Sequence, residues 1–463
     1  MAATEPGLDY LPDELLLHIV QQLSCIFSLE PQSTAFKVKA KEKSRQCDNR
    51  SRQLGLYSLC LANRHLRRIA TPTLYSSFVG STTWHGLKPL ELFHRTITGP
   101  QDADATVPLG QHLEYVENRL SDYLGNSLQE DSQEDGADYM VARHFQLLAE
   151  IVNHAANIQY MSIVSLETVG ASFWKYILSD ISGLGSPALV ASHGFPKLRS
   201  LCFQIHTRSY DTNLSSSSFD RICSAFTSAP MLESYQASGV VSSLSVLPLH
   251  QVLPLRQKFK KLTRVEMTEC VLELDEVASV WADCERLRHI ACEWAFLDED
   301  GGRPIILYEG LLRHCETLDS LHLDMREVRI FESVFAHPGR LGSLQSFTSL
   351  KSLQICERSL LGSTDILLDT QAGSSGVRMT KLLPSELEKF VLLMPGTRSD
   401  FADDRVFDAT ILRPLADDCG RDMVALRDVI VKARHHECGA QMTKAFEDVG
   451  VRFRLVDEAK ASY

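Results

Sequence analysis

Two short runs carry residue types whose spacing could do chemistry. The run from Gly183 to Ala188 (GLGSPA) has the form of a dinucleotide-binding fingerprint. Such a loop binds a pyrophosphate only where it follows a buried strand and opens a helix, and no continuous apolar strand precedes this one. Pro187 is also typical of a turn. We therefore expect no nucleotide cofactor here.

The run from His435 to Cys438 (HHEC) brings together three residue types that bind metal ions. Two adjacent histidines on a helix point in different directions, and no second ligand cluster has a matching spacing, so an ordinary surface helix is the favoured interpretation. The chain also lacks a Gly-x-x-x-x-Gly-Lys loop, a Gly-x-Ser-x-Gly elbow and a His-Glu-x-x-His helix. The sequence predicts no catalytic residue, no metal and no cofactor.

Length and composition describe an ordinary globular chain. It has 463 residues, of which 44% are hydrophobic and 23% charged. Because one core rarely extends beyond ~300 residues, several domains or an elongated repeat array are expected. The net charge of -12 argues against a general nucleic-acid partner, since phosphate neutralisation needs a basic surface. No run approaches the ~20 apolar residues of a membrane span, so no membrane partner is expected.

Two further features bear on the cellular compartment. Residues 1–9 contain neither a basic region nor an apolar region of the kind that a secretory signal needs. The 12 cysteines form no Cys-x-x-Cys pair, and several, such as Cys202, Cys223 and Cys292, fall at apolar positions of periodic segments. Buried free thiols of this kind are typical of a reducing compartment. The sequence therefore predicts a cytoplasmic or nuclear protein.

The N-terminal segment has the pattern of an amphipathic helix. Leu11, Leu15, Ile19 and Leu23 recur every fourth residue and lie on one helical face. Pro12 suits the first turn, where a backbone N–H would have no helical partner. A helix this short is marginal alone, so its apolar face must meet another surface.

A basic stretch follows, from Ser28 to Gln53. Its cationic residues are Lys37, Lys39, Lys41, Lys43, Arg45, Arg50 and Arg52. With so few apolar residues it is expected to be an exposed insertion loop, either structurally passive or acting as a localisation signal or a contact for an acidic partner. Helical periodicity resumes at Leu56, runs to Ile69, and is expected to end at Pro72.

The two periodic segments, LPDELLLHIVQQL and LYSLCLANRHLRRIATPTLYSSF, resemble the F-box in the form common in fungal proteins. The resemblance covers Leu8 to Phe78. The Leu-Pro opening, the Leu-Cys-Leu centre and the basic-leucine close occur in that order, and Pro72 to Tyr75 matches a Pro-x-Leu-Tyr ending. The basic insertion is longer than the usual link between the two halves.

The resemblance implies a three-helix module that docks on the Skp-type adaptor of cullin-RING ubiquitin ligases. The residues that it places at the adaptor or in the module core are Leu11, Pro12, Leu15, Ile19, Leu59, Cys60 and Leu61. The alternative is that all of them simply pack a small helical domain.

From residue 158 an apolar residue is repeatedly followed by further apolar residues at the third and fifth positions. The eight occurrences are Ile158/Met161/Ile163, Leu198/Leu201/Phe203, Leu232/Tyr235/Ala237, Leu262/Val265/Met267, Leu287/Ile290/Cys292, Leu318/Leu321/Leu323, Leu350/Leu353/Ile355 and Leu387/Phe390/Leu392. This pattern is similar to leucine-rich repeats over Ile158 to Leu393. The last two residues of each would alternate along a short strand and point inward, so each strand needs neighbours.

Helix-like segments separate these strands, which implies parallel strands on one face and helices on the other. They run from Phe219 to Ala229, Leu274 to Glu285, Ile306 to His314 and Ile330 to Ala336, the second with Asp275 as its cap. Before them, a helix is expected from Trp84 to Thr98, a strand within Gln111 to Leu120 and a solvated acidic loop from Gln129 to Asp138. After them, helices from Asp403 to Asp417 and Asp422 to Arg434 and a strand from Val451 to Leu455 are expected.

The sequence thus predicts an α/β chain in four parts. These are an F-box module at 8–78 with a basic insertion at 28–53, a connecting region at 79–157 with an acidic loop at 129–138, an irregular leucine-rich-repeat solenoid at 158–400, and a C-terminal helical cap at 401–463.

The functional hypothesis is a non-catalytic subunit of a Skp-cullin-F-box ubiquitin ligase whose repeats bind a protein substrate. The residues expected on the open face of the sheet are Arg264, Glu266, Thr268, His289, Glu293, Ser320, His322, Asp324 and Lys389. An ordinary solvated sheet face is the alternative for this set. The other hypotheses are a scaffold that uses the same adaptor contact outside a ligase, and a hydrolase or oxidoreductase with a site between the repeats and the C-terminal cap.

Overall fold

The computed structural model describes residues 11–28, 39–81, 87–99, 107–119, 134–167, 173–177, 193–207, 219–226, 229–242, 259–299, 304–330, 340–362, 379–394, 407–433 and 436–457. The chain divides into two units, unit 1 at Met1–Ser238 and unit 2 at Gly239–Tyr463. Each unit is an α/β arrangement whose strands pair in parallel. No helix in the described ranges is long and apolar enough to cross a membrane.

The described part of unit 1 begins with three helices: α1 Asp13–Gln22, α2 Lys39–Ala62 and α3 Arg64–Leu74. The predicted helix from Leu56 to Ile69 is therefore two helices. The side chain of Asn63 accepts a hydrogen bond from the Leu66 N–H at 2.8 Å and caps α3. Pro72 does not end α3, because the helix continues to Leu74 and a hydrogen bond from the Tyr75 N–H to the Thr71 carbonyl, 3.1 Å, extends it.

The expectation of a loop in the basic stretch is wrong for residues 39–53, which form the first half of α2. Glu42 and Asn49 are buried. This half of α2 has few apolar residues to pack against the rest of unit 1. Hydrogen bonds from polar side chains on one side of the helix hold it in place instead. The remainder of the stretch, residues 29–38, lies outside the described residues.

Five strands of unit 1 pair in sequence order. They are β1 Ser77–Ser81, β2 Tyr115–Arg119, β3 Tyr160–Glu167, β4 Ser200–Thr207 and β5 Ser234–Ser238. The helices between them are α4 Lys88–Thr98, α5 Glu134–His154, α6 Phe173–Ile177 and α7 Phe219–Phe226. Each strand lies beside its predecessor, which is the sequential parallel order that the apolar pattern predicts.

Three predictions for the connecting region have different outcomes. The predicted helix is confirmed over Lys88–Thr98, and the predicted strand is confirmed as β2. The acidic loop is wrong for residues 134–138, which form the start of α5. Negative charge is favourable at that end of a helix, and burial of Phe145 and Leu148 further along stabilises the rest of α5.

Unit 2 contains seven strands that pair in sequence order within the described residues. They are β6 Arg264–Cys270, β7 His289–Trp294, β9 Ser320–Asp324, β11 Ser352–Cys356, β12 Lys389–Leu393, β14 Asp428–Ala433 and β16 Arg452–Asp457. Two small parallel pairs join β8 Leu297–Glu299 to β10 Val328–Ile330 and β13 Phe407–Asp408 to β15 His436–Glu437. The helices are α8 Leu274–Asp283, α9 Ile305–Leu311, α10 Glu357–Leu361, α11 Arg413–Asp422 and α12 Gly439–Glu447.

All eight predicted repeat strands are confirmed, as β3 to β7, β9, β11 and β12. The second and third apolar residue of every occurrence are buried, for example Leu321 and Leu323 on β9 and Leu353 and Ile355 on β11. Register aligns these residues from strand to strand, with Leu321 beside Leu353. The inward residues of one strand therefore pack beside those of the next.

Several predictions at the C-terminal end are wrong. The segment predicted as a helix from Asp422 to Arg434 contains β14, so the described part of the predicted helical cap, residues 407–433 and 436–457, includes strands that continue the parallel pairing. Of the helix predicted from Asp403 to Asp417, residues 413–417 are confirmed as the start of α11, whereas residues 407–412 form β13 and a 3-10 turn at Ala409–Leu412. Residues 403–406 lie outside the described residues. The last predicted strand is confirmed as β16.

Smaller corrections concern helix ends. Ile330 ends strand β10 instead of starting a helix, and residues 331–339 lie outside the described residues. Glu273 rather than Asp275 occupies the cap position of α8, where its N–H donates to the Glu276 carboxylate at 3.2 Å. The surface helix predicted at 435–438 is wrong for the described part, because His436 belongs to β15.

Candidate docking surfaces

A small apolar core holds α1, α2 and α3 together. Its buried members are Leu16, Val20, Leu56, Leu66, Ile69 and Ala70. Three of the residues expected at the adaptor or in the module core, Leu11, Leu59 and Cys60, are partly buried against this core. Their packing is that of members of the module core.

The other four predicted adaptor residues are exposed. Leu15, Ile19 and Leu61 have 51%, 38% and 67% of their surface accessible, and Pro12 is exposed as well. Leu15 and Ile19 lie one turn apart on α1, beside the face that buries Leu16. Because the core is complete without them, their exposure leaves an apolar surface that nothing in the described residues covers.

Three more exposed apolar residues on these helices were not predicted as site residues. They are Leu17, Leu54 and Tyr57, with 46%, 58% and 54% of their surface accessible. Leu54, Tyr57 and Leu61 lie at helical spacing on one face of α2. The spacing was visible in the sequence, but the loop assigned to residues 28–53 hid the helix to which Leu54 belongs.

A buried ion pair joins α2 to the sheet of unit 1. The Arg45 guanidinium donates to Glu117 Oε1 on β2 at 2.6 Å and to Glu42 at 2.8 Å. Glu117 is fully buried, and it also accepts a hydrogen bond from the Tyr115 hydroxyl. Arg45 and Glu117 are 72 positions apart, so no sequence pattern could pair them.

The electrostatics of this contact keep the Arg45 guanidinium charged and the Tyr115 hydroxyl protonated. Burial acts to lower the pKa of Arg45, but the hydrogen bonds and charges of Glu42 and Glu117 outweigh it and raise that pKa above its ordinary value. Burial, with the neighbouring Glu117, raises the pKa of Tyr115. The cluster is therefore a permanent structural anchor for α2.

Polar contacts of α2 also fix the segment that leaves α1. The Asn49 side chain accepts from the Ile26 N–H at 2.8 Å and donates to the Ile26 carbonyl at 3.1 Å. Arg52 donates to the Gln22 carbonyl at 2.6 Å, at the end of α1 where helical carbonyls have no partner. Phe27 stacks on Tyr115 with the ring centroids 4.2 Å apart. The basic stretch thus binds unit 1 together.

The residues predicted to bind substrate all lie on strands of unit 2, where register groups eight of them into three rows. Arg264, His289, Ser320 and Lys389 occupy the first row, with Ser352 between the last two. Glu266 and His322 flank Ala291 in the second row, and Glu293 lies beside Asp324 in the third. Thr268 lies at a register shift in β6 and is half-buried.

Exposure of these rows differs from the expectation of an open face. Only Lys389 is exposed, whereas Glu266 and Asp324 are buried and the other residues of the set are half-buried. A buried carboxylate is stabilised by a neighbouring cation, and Arg264 and Arg326 take this role beside Glu266 and Asp324. Glu266 and Asp324 therefore lie in the expected rows but are covered by neighbouring side chains.

Glu266 is the centre of the first cluster. Its Oε1 accepts from Arg264 at 2.5 Å and lies 2.8 Å from His289 Nε2. Burial acts to raise the pKa of Glu266, but His289 and Arg264 outweigh it and lower that pKa. Its buried Oε2 has no hydrogen-bond partner in the described part of the chain.

His322 and Asp324 form a second cluster on β9. Arg326 binds Asp324 at 2.6 Å, and Gln354 lies 2.6 Å from His322 Nε2. Burial lowers the pKa of His322 to about 4, and Lys432 and Arg326 act in the same direction against the opposing charge of Asp324. His322 is therefore neutral at pH 7 and can donate or accept a hydrogen bond.

The runs Gly183 to Ala188 and His435 to Cys438 lie wholly or partly outside the described residues. Of the second run, His435 is the residue that lies outside them. Among the residues that are described, no three His, Cys, Asp or Glu side chains are grouped to hold a metal ion. A scan against protein-family models finds none that matches the chain, and a search of curated proteins finds no similar sequence. The function is therefore inferred from the residues themselves.

Proposed function

We propose that this protein is the substrate-recognition subunit of a Skp-cullin-F-box ubiquitin ligase. Its α1–α3 module binds the Skp-type adaptor, and its parallel repeat strands bind a protein substrate. The chain carries no catalytic group in this scheme. It accelerates ubiquitination by holding a substrate lysine near the charged enzyme elsewhere in the complex, which raises the effective concentration of the two reactants.

One observation carries the proposal: apolar side chains project from helices whose core is already complete. Leu15 and Ile19 flank the buried pair Leu16 and Val20 on α1. An apolar helix face that a folded chain leaves exposed is typical of a protein interface. The resemblance of LPDELLLHIVQQL to the F-box identifies the partner that such a face would have.

The rows of β6 to β12 support the second half of the proposal. They present charged and hydrogen-bonding groups at half-buried positions, which gives the specificity that recognition of one protein requires. Because Glu266 and Asp324 hold their cations in fixed places, the rows are organised before a partner arrives.

The test compares a double substitution on α1 with a single control substitution on the same helix. Leu15→Ala/Ile19→Ala removes exposed side chains, so we expect the free energy of unfolding to change by less than about 1 kcal/mol. Its dissociation constant for the purified adaptor should rise about 100-fold, since two interface anchors are lost. Leu17→Ala, exposed on the other flank of α1, is the control and should bind as the wild type does.

Binding is measured by isothermal titration, and folding by chemical denaturation. Absence of adaptor binding by the wild-type protein, or equal binding by Leu15→Ala/Ile19→Ala, contradicts the proposal. The scaffold alternative is separated by target half-life in cells. A ligase subunit shortens that half-life in a manner that depends on Leu15 and Ile19, whereas a scaffold leaves it unchanged.

A further inference from the structure

One face of α2 is exposed along most of the helix and is called here the α2 stripe. Its members are Lys43, Cys47, Arg50, Leu54, Tyr57, Ser58 and Leu61, each of which is exposed. They recur at intervals of three or four residues, so they lie on one side of the helix. At a rise of 1.5 Å per residue the stripe is about 27 Å long.

The stripe has two chemically distinct halves. Lys43 and Arg50 make the first half cationic. The acidic residues of that half lie elsewhere, because Glu42 is turned inward onto Arg45 and Asp48 lies roughly 100° around the helix from Cys47. The second half is apolar. In a chain of net charge -12, such a local excess of positive charge selects an acidic partner.

The rotation of α2 is fixed from its opposite side. Arg45 binds Glu117, Asn49 binds Ile26, and Leu56 is buried in the three-helix core. These contacts cannot be kept if the helix turns to bury the stripe. The apolar and cationic groups are therefore held outward before any partner binds, which lowers the entropic cost of docking.

We propose that the α2 stripe is a two-part docking surface for an acidic segment of the adaptor protein. Apolar side chains of that segment cover Leu54, Tyr57 and Leu61, while its carboxylates, about 16 Å away along the helix axis, pair with Lys43 and Arg50. The inference rests on the proposed function and extends it, because it makes the basic half of α2 part of the adaptor interface. Adaptor recognition thereby combines burial of apolar surface in one half of the stripe with ion pairs in the other half.

A protein segment fits the stripe better than a membrane surface does. Anionic membranes are bound by clusters of four to eight Lys or Arg residues beside an apolar face, whereas the stripe carries two. The cations also lie at one end of the apolar patch instead of along both of its sides. A linear partner with separate acidic and apolar parts matches this order.

The experiment titrates the purified Skp-type adaptor into the full chain at low and high salt. For Lys43→Glu/Arg50→Glu we expect the dissociation constant to rise about tenfold or more at 50 mM salt and about twofold at 500 mM, since salt screens exposed charges. Leu54→Ala/Leu61→Ala should raise it about tenfold at both salt concentrations. Lys43→Gln/Arg50→Gln, which adds no negative charge, should give an intermediate rise.

The matched control is Lys197→Glu/Arg199→Glu, which makes the same charge change at two exposed residues before β4. It should bind nearly as the wild type does. If Lys43→Glu/Arg50→Glu binds like the control while Leu15→Ala/Ile19→Ala does not bind, the docking surface proposed here is wrong and the proposed function stands. A wild-type chain that binds no adaptor overturns both.

Vesicles that contain phosphatidylserine test whether the α2 stripe binds an anionic membrane instead of the adaptor. Binding of the wild-type chain to these vesicles, with loss of that binding in Lys43→Glu/Arg50→Glu and no effect of this variant on the adaptor, would assign the stripe to a membrane and overturn the proposal. Absence of vesicle binding together with the salt-dependent adaptor effect supports it.

Discussion

His144 is a buried titratable residue on α5 whose environment makes stability depend on pH. Only 2% of it is exposed, and neither ring nitrogen has a hydrogen-bond partner in the described part of the chain. Burial lowers its pKa to about 4. Between about pH 6.5 and pH 4 the unfolded chain therefore binds a proton that the folded chain does not, and the folded state loses stability as the pH falls through this window.

We expect His144→Phe to remove this dependence. Between pH 7 and pH 5 the free energy of unfolding of the wild type should fall by about 2 kcal/mol more than that of the variant. At pH 7 the variant should be at least as stable, because it buries no unsatisfied nitrogen. Urea denaturation at the two pH values measures both effects, and parallel losses in the two proteins would contradict the account of His144.

Residue-scale detail also explains how much of the site the sequence could predict. The four-residue spacing of Leu11, Leu15, Ile19 and Leu23 correctly predicted an amphipathic α1. It could not decide which apolar residues point inward, because Leu16 and Val20 alternate with Leu15 and Ile19 and the exposed and buried pairs are equally apolar. Only the positions of α2 and α3 make that choice.

At the scale of the element, the contact between α2 and β2 depends on one charge pair. Glu117→Leu leaves the largely buried Arg45 guanidinium with the Glu42 carboxylate and the Ile26 carbonyl but without the charge of Glu117, so we expect the free energy of unfolding to fall by about 3 kcal/mol. The double variant Arg45→Met/Glu117→Leu removes both charges and should recover most of that loss.

Equilibrium denaturation of Arg45→Met, Glu117→Leu and the double variant gives the coupling energy of the pair. A double variant no more stable than Glu117→Leu would show that Arg45 does not depend on Glu117. The Glu117→Leu variant should also bind the adaptor more weakly at temperatures where it remains folded, because α2 is no longer held in one rotation.

The elements that were predicted wrongly have two opposite physical causes. Leu426, Val429 and Val431 have the same third-and-fifth spacing as the repeats, yet Ile430 is buried too, so the run is apolar on both faces and looks helical. In α2 the error is the reverse, because Arg45 and Asn49 replace apolar burial with long-range hydrogen bonds. The spacing of apolar residues predicts only elements that are stabilised by apolar packing. It does not predict elements that are held by polar contacts.

At the scale of the whole molecule, each parallel strand is stabilised chiefly by the strand before it and the strand after it. In unit 2 the strand β16 covers the edge of β14, and the Phe453 and Phe446 rings stack 5.1 Å apart above it. Removing a terminal unit from such an array both lowers stability and exposes the edge of the preceding strand.

We expect a chain that ends at Ala433 to melt at a lower temperature than the full chain and to associate, because the edge of β14 offers free backbone groups to another copy. The full-length variant Phe446→Ala separates the two effects. It should lose about 3 kcal/mol from the cavity that the ring leaves, yet stay monomeric, because β16 still covers the edge. Light scattering during thermal denaturation distinguishes the two effects. If the shortened chain and the Phe446→Ala variant both associate, lost stability causes the association. If only the shortened chain associates, the uncovered edge of β14 causes it.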